Sequence, residues 1–341
     1  MKVLVTGHDG YIGAVLVPML LERGHDVTGL DSGLFSACVF GDDKSLVPVI
    51  AKDIRDVTVQ DFEGFEAVIH LAALSNDPLG NHVPETTFDI NHRGAVIVAE
   101  AAKQSGVERF LHSSTCSLYG AQGNDPITES GQFLPVTPYG ESKVNAEHDI
   151  SALAGSHFSP TFLRNATAYG YSAKLRGDLV VNNLVAYAMS TGHVRMKSDG
   201  TPWRPLAHIE DLSRAFVALM EADRALVHNK PYNVGRTSEN YQIREVAAIV
   251  EAVVPNSTIT LAETAGPDLR NYRVNCDLIE LEIPAYQPVW TVQKGVEELY
   301  EAYLRLGLTE DLLHSGKLQR IEHLKGLIGS GKLGNDYRWT Q

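Results

Sequence analysis

The chain opens on a short apolar run, Val3-Leu4-Val5, followed at once by T-G-H-D-G-Y-I-G at residues 6–13. A buried strand that turns through glycines into a helix is how a doubly wound sheet receives a dinucleotide's diphosphate. Gly7, Gly10 and Gly13 follow G-x-x-G-x-x-G spacing, where many dehydrogenases carry G-x-G-x-x-G. The work is similar: a tight turn, close backbone approach to phosphate, and a helix packed hard on a strand. The diphosphate then rests on the positive end of the first helix, beside Tyr11 and Ile12. The alternative is an ordinary glycine-rich turn.

Asp31 favours the first reading. It ends the second predicted strand, H-D-V-T-G-L-D, where a carboxylate can hold the adenosine ribose hydroxyls. A negative charge there repels a 2′-phosphate, so NAD is expected over NADP. Asp53 and Ile54, just past the third strand, stand where the adenine edge would lie. The strand A-V-I-H-L-A-A (67–73) ends in Leu71, Ala72 and Ala73, small enough at its end to let backbone lie against a cofactor.

A second string, Y-G-E-S-K at 139–143, puts Tyr139 and Lys143 on one face of a helix. A free phenol has a pKa near 10, too high for a good base at neutral pH. A neighbouring ammonium and a positive nicotinamide ring favour the phenolate. Alone, such a pair on an amphipathic helix is more often a surface pair.

Short β-branched runs alternate with amphipathic stretches through the first half, the pattern of βαβ units on a parallel sheet. Strands are predicted near 2–6, 26–30, 48–51, 67–71, 108–113 and 159–163, and helices near 11–23, 86–105 and 139–154. Beyond residue 164 the elements shorten: helices at 179–191, 209–222 and 242–253, and a strand at 231–235. The expected division is residues 1–164 as the dinucleotide domain with its Tyr/Lys helix, and 165–341 as a smaller C-terminal substrate lobe with segments returning to the main sheet. The end of the chain reads as a helix, a glycine-rich break and a polar tail, packed on the body or on a partner.

A net charge of −13 argues against a nucleic-acid partner, which needs clustered Lys and Arg. Three dispersed cysteines, Cys38, Cys116 and Cys276, fit neither a disulfide framework nor a zinc site, so no metal and a reducing cytoplasm are expected. No targeting segment is read, and no apolar stretch is long enough for a membrane span.

Taken together, T-G-x-x-G-Y-I-G, Asp31, D-I-R-D (53–56), H-L-A-A (70–73), Asn91, S-S-T-C-S-L-Y-G (113–120), Tyr139/Lys143 and G-T-P-W-R-P-L-A-H-I-E-D-L (200–212) resemble an extended short-chain dehydrogenase/reductase of the nucleotide-sugar epimerase/dehydratase type. The resemblance spans most of the chain. It implies a Rossmann α/β fold, NAD as cofactor with Asn91 among its contacts, and a nucleotide-sugar substrate. It makes Tyr139 the general acid/base. Lys143 becomes its partner, also bonding the nicotinamide ribose, and Thr115 a hydrogen-bond donor to the reacting oxygen. Ser113, Ser114 and Ser117 read as strand-end polar residues, and Cys116 as a packed one. Sugar 4,6-dehydratases of this type usually carry Asp-Glu after the Thr; here Cys116-Ser117 stands instead, which leaves oxidation and reduction at a carbinol carbon.

On the substrate side the resemblance points to Asn165, Asn183 of V-V-N-N-L-V (180–185), and two phosphate-binding arginines, Arg204 and Arg270. Thr167 replaces the usual Asn of the segment 163–170, so the sugar is not specified. The implied activity is an NAD-dependent epimerase acting at C4 through a keto sugar. The alternatives are a ketoreductase of a keto sugar and a non-catalytic dinucleotide-binding regulator. A homodimer through helices 86–105 and 139–154 is also implied.

Overall fold

The computed structural model describes residues 1–42, 47–75, 77–261 and 270–340. Seven strands form its main sheet: β1 (Lys2–Thr6), β2 (Asp26–Asp31), β3 (Val49–Ala51), β4 (Ala67–His70), β5 (Arg109–Thr115), β6 (Ser159–Asn165) and β7 (Lys230–Val234). All pair in parallel, in the order β7-β6-β5-β4-β1-β2-β3. The order reverses at β1, and ligands of such sheets bind beyond the strand ends at that switch. Pleating sends β1 to both sides. Val3 and Val5 pack beneath α1 (Gly13–Glu22), while Leu4 joins the opposite core with α2 (Ala95–Gln104) and α3 (Pro138–Ala152). Both faces are covered, which is why these strands read as continuous apolar runs.

The remaining strands make small accessory sheets. Residues Thr167–Tyr169, Trp203–His208 and Asn240–Gln242 form one, and the pairs His193–Met196/Thr258–Leu261 and Ala121–Ile127/Asn271–Val274 form two more. Helix α5 (Ile209–Glu221) packs on α1, whereas α4 (Val180–Thr191), α6 (Ile243–Val253) and α7 (Val292–Leu306) share a second core. Sequence reading assigns no element to α7, although Val292, Val296, Leu299 and Tyr303 keep helical spacing and are all buried. The helix α8 (Arg320–Gly329) and the tail after it fold back onto the dinucleotide half.

Two boundaries differ from expectation. Residue 164, the expected division, lies inside β6 and not at its end; β7 is one of the second-half segments in the main sheet. The single helix expected over 86–105 is three pieces: Pro84–Phe88, a π-helical turn Asp89–Gly94, and α2. The turn carries Asn91, whose buried amide accepts from the Leu74 backbone N–H (2.7 Å) and donates to the Leu74 carbonyl (3.1 Å) and Ser142 Oγ (3.3 Å). No helix among the described residues is long and apolar enough to cross a membrane.

Candidate active site

A cavity of about 620 Å³ opens at the carboxyl ends of the sheet strands, lined by both halves of the chain. The glycine turn forms its floor. Gly7 sits at φ +72°, and a Cβ there would lie 2.7 Å from the Ala72 backbone nitrogen. At Gly13 a Cβ would meet the His8 carbonyl at 2.2 Å, so helix and loop can approach only without a side chain. Asp31 closes β2 and accepts from the Gly33 (2.9 Å) and Asp9 (3.3 Å) backbone N–H groups. Burial pushes its carboxyl up, and those two donors act against the shift.

Gly7, Gly10, Tyr11, Ile12, Gly13, Asp31, Asp53, Ile54, Leu71, Ala72 and Ala73 all line this cavity. Two carry other bonds as well. The Tyr11 hydroxyl donates to the Gly170 carbonyl (2.7 Å), and Asp53 is gripped by the Arg55 guanidinium (2.7 and 3.0 Å). Asn91 is not among these lining residues; its amide ties the Leu74 loop, which does line the cavity, to α3. Its amide has three protein partners because the loop it holds carries Leu74 and Ser75 into the wall.

Across from the glycine turn stand Thr115, Tyr139, Lys143 and Asn165. Thr137 caps α3 by accepting from the Gly140 N–H (3.2 Å), and Pro138 fits the first helical turn, so Tyr139 emerges at the helix start. Lys143, one turn on, is buried and donates to the Ser113 carbonyl (2.7 Å). Burial brings its ammonium down to about 8, opposed by the charge of Glu147. His70 and His112 also lie near it, stacked with ring centroids 5.5 Å apart, and burial pushes both imidazoles well below the usual histidine range. Thr115 Oγ1 accepts from the Ser117 N–H (3.1 Å), and the Asn165 amide donates to Ser113 Oγ (3.0 Å).

Cys116 is buried with its thiol on the Arg164 carbonyl (3.0 Å), and burial pushes that thiol far up. Ser117 lies within 3.4 Å of the Tyr272 hydroxyl. Asn183, Arg204 and Arg270 line the far end. Asn183 donates to the Gly177 carbonyl (2.7 Å), and Arg204 bonds the Trp203 (2.6 Å) and Arg270 carbonyls.

Several lining or supporting groups escape sequence reading. Arg176 is held by Asp178 (2.6 and 3.1 Å) and by Ser75, close enough to Tyr139 for their charges to interact. Gln319, Arg320 and Tyr337 reach the cavity from the last thirty residues. Behind the wall, Glu147 accepts from Ser114 Oγ and from the Arg164 guanidinium (2.8 to 3.2 Å). Only Glu147 leaves a signal, since it follows Lys143 by one helical turn. Arg176, Gln319 and Tyr337 come from loops, and Arg320 opens α8.

A doubly wound parallel sheet with a glycine turn, an acidic end to its second strand and a Thr, Tyr and Lys at one cavity defines an extended short-chain dehydrogenase/reductase. Comparison with known proteins places it further. Residues 3–235 match the NAD dependent epimerase/dehydratase family, and the chain belongs to that family. It is 32% identical over 275 residues to UDP-glucose 4-epimerase of Corynebacterium glutamicum, covering 74% of this chain and 80% of that one. Identity to dTDP-glucose 4,6-dehydratase of Escherichia coli is 26%, over 89% of this chain and 93% of that protein. Among solved structures, MoeE5 in complex with UDP-glucuronic acid and NAD aligns with a TM-score of 0.75 and 26% identity, over 89% of this chain and 99% of MoeE5. The relatives are thus NAD-linked nucleotide-sugar epimerases and dehydratases.

Proposed function

We propose that the chain is an NAD-dependent epimerase of a nucleotide-linked sugar, acting at C4 through a transient keto sugar. One observation carries this reading. Thr115, Tyr139 and Lys143 share a cavity wall, while the two positions after Thr115 hold no carboxylate and are engaged by Arg164 and Tyr272. The acid/base pair that a 4,6-dehydratase would place there is missing.

NAD held by the glycine turn and Asp31 would supply the reversible hydride chemistry at the carbinol carbon. The chain's own residues manage the proton and the geometry. Tyr139 takes the hydroxyl proton as the carbonyl forms and gives it back on reduction. Lys143 holds positive charge one turn away and steadies the phenolate, with Arg176 a second cation in reach. Thr115 hydrogen-bonds the same oxygen. The cavity's glycine and alanine rim, with Asp31 at the adenosine end, fits a dinucleotide. Asn183, Arg204 and Arg270 would hold the substrate's diphosphate, for which the arginine fork is suited.

The test is the dinucleotide content of the purified protein, combined with a screen of nucleotide sugars followed by NMR of the product. NAD retained through purification and interconversion of a C4 epimer pair are expected. Consumption of exchangeable NADH or NADPH by a keto sugar would replace the reading with a ketoreductase, and binding without turnover would replace it with a regulator.

A pH dependence follows from Lys143. Its ammonium is complete below about 8 and is lost as pH rises through that value. The rate should therefore fall on the alkaline side. Lys143→Arg, whose guanidinium stays charged, should move that limb upward even at reduced rate. An unshifted limb would assign it to another group.

A further inference from the structure

We propose that the C-terminal segment is part of the dinucleotide site, and that Arg320 seats the dinucleotide's diphosphate. The inference rests on the dinucleotide occupying the cavity described above and adds a residue that neither the glycine turn nor the Tyr/Lys helix supplies.

The segment straps the loops that follow β2 and β3, the two that flank Asp31 and Asp53. Trp339 Nε1 donates to the Ser32 carbonyl (2.8 Å), and His323 lies within 2.9 Å of the Leu34 carbonyl. Arg55 reaches the Asp336 carbonyl (2.9 Å), and Arg338 pairs with Asp56 (2.5 Å). Leu324, Leu333 and Tyr337 are buried in the same core as Leu30, Leu34 and Ile54. These contacts fix the strap over the adenosine end, and Arg320, Ile321 and Tyr337 open into the cavity there.

Arg320 is the group that asks for a ligand. It is 5% exposed, its Nη2 donates to the Lys174 carbonyl (3.0 Å), and its guanidinium carbon lies 4.6 Å from the Phe35 ring centre. Nη1 is buried with no hydrogen-bond partner among the described residues. Among the described residues no carboxylate is ion-paired with it: Asp178 holds Arg176, and Asp9 holds Lys174 (2.7 Å). The Cys38 sulfur hydrogen-bonds the guanidinium, but burial pushes its thiol up and its hydrogen points to the Gly316 carbonyl, so it supplies no countercharge. Burial lowers the guanidinium's affinity for its proton, and Arg176 adds to that. A buried cation with an idle donor is costly unless an anion completes it. Lys174, whose carbonyl Arg320 holds, is tied by its ammonium to Asp9 in the glycine turn. The anion at that turn is the diphosphate of the bound dinucleotide.

The experiment is calorimetric titration of the 341-residue chain and its variants, freed of any co-purified dinucleotide, with NAD, ADP-ribose, adenosine, NADP and UDP. Wild type should bind NAD; if it does not, the dinucleotide reading itself fails. Arg320→Gln should weaken NAD and ADP-ribose by about ten- to a hundredfold, the loss of a charge-assisted bond, and leave adenosine unchanged. Arg320→Lys, which keeps the charge and loses the fork, should fall between. Unchanged NAD affinity in Arg320→Gln overturns the proposal, as does an equal loss for adenosine, or a loss confined to NADP or to UDP. If Arg320→Gln does not fold, Arg320→Lys decides alone: weaker NAD at constant adenosine supports the seat, and wild-type NAD affinity removes it.

Discussion

Tyr139→Phe is expected to lower turnover by about a hundredfold to ten-thousandfold, the contribution of a positioned acid/base, while bound NAD stays at the wild-type level. The argument is one of atoms. The substitution removes a single oxygen and keeps the ring, so the start of α3, held by the Thr137 cap, keeps its shape. Of the other phenols that line the cavity, Tyr337 stands at the adenosine end, Tyr11 is committed to the Gly170 carbonyl and Tyr272 lies beside Ser117; the last two are nearer the chemistry. Burial pushes both of these hydroxyls away from ionising, so neither can take over as a base. Single-turnover assays with equilibrium measurement of NAD separate the two effects. Retained turnover would remove Tyr139 from the proton path. Lost NAD together with lost turnover would mean that the site had collapsed.

Glu147→Ala should produce the largest loss of stability, about 3–5 kcal/mol, because it strands a buried Arg164. Arg164 is 4% and Glu147 6% exposed, and the carboxylate accepts both guanidinium edge nitrogens and the Ser114 hydroxyl. Nη1 of Arg164 goes on to the Tyr119 hydroxyl (3.0 Å) and the Glu129 carbonyl (2.7 Å), and Phe133 lies 4.7 Å from the guanidinium carbon. Removing one partner leaves this charge uncompensated. Removing both, as Glu147→Met with Arg164→Met, should recover most of the loss, since a buried pair is worth little against well-packed apolar groups. Urea unfolding of the two singles and the double checks this. A single-variant loss below about 1 kcal/mol would mean that water reaches the pair, as at a surface ion pair.

The glycine turn, Asp31 and the Tyr139/Lys143 spacing are legible in the sequence because each is a local device. A positive φ at Gly7, a strand-end carboxylate and two residues one helical turn apart need only a few neighbouring residues to exist. The parallel order of the early strands is legible for the same reason, as repeated βαβ units with buried, apolar strands.

Asn91 marks the limit of that kind of reading. Its place in the sequence marks it as a cofactor contact, but its bonds to the Leu74 loop and to Ser142 depend on a π-helical turn that no local pattern announces. Arg164 and Glu147 are separated by 17 residues in the chain, and only the pairing of β6 with β5 beside α3 joins them. Arg176 and Tyr337 lie outside helices and strands and Arg320 opens α8, so their arrival at one cavity is decided by long-range packing. The sequence by itself determined the dinucleotide turn, the class of chemistry and the half-fold that carries them, because local geometry suffices for each. Tertiary structure alone decided which charges are paired, which guanidinium is left for a ligand, and that the end of the chain closes over its beginning. Burial and distance set those outcomes, and neither exists before the chain has folded.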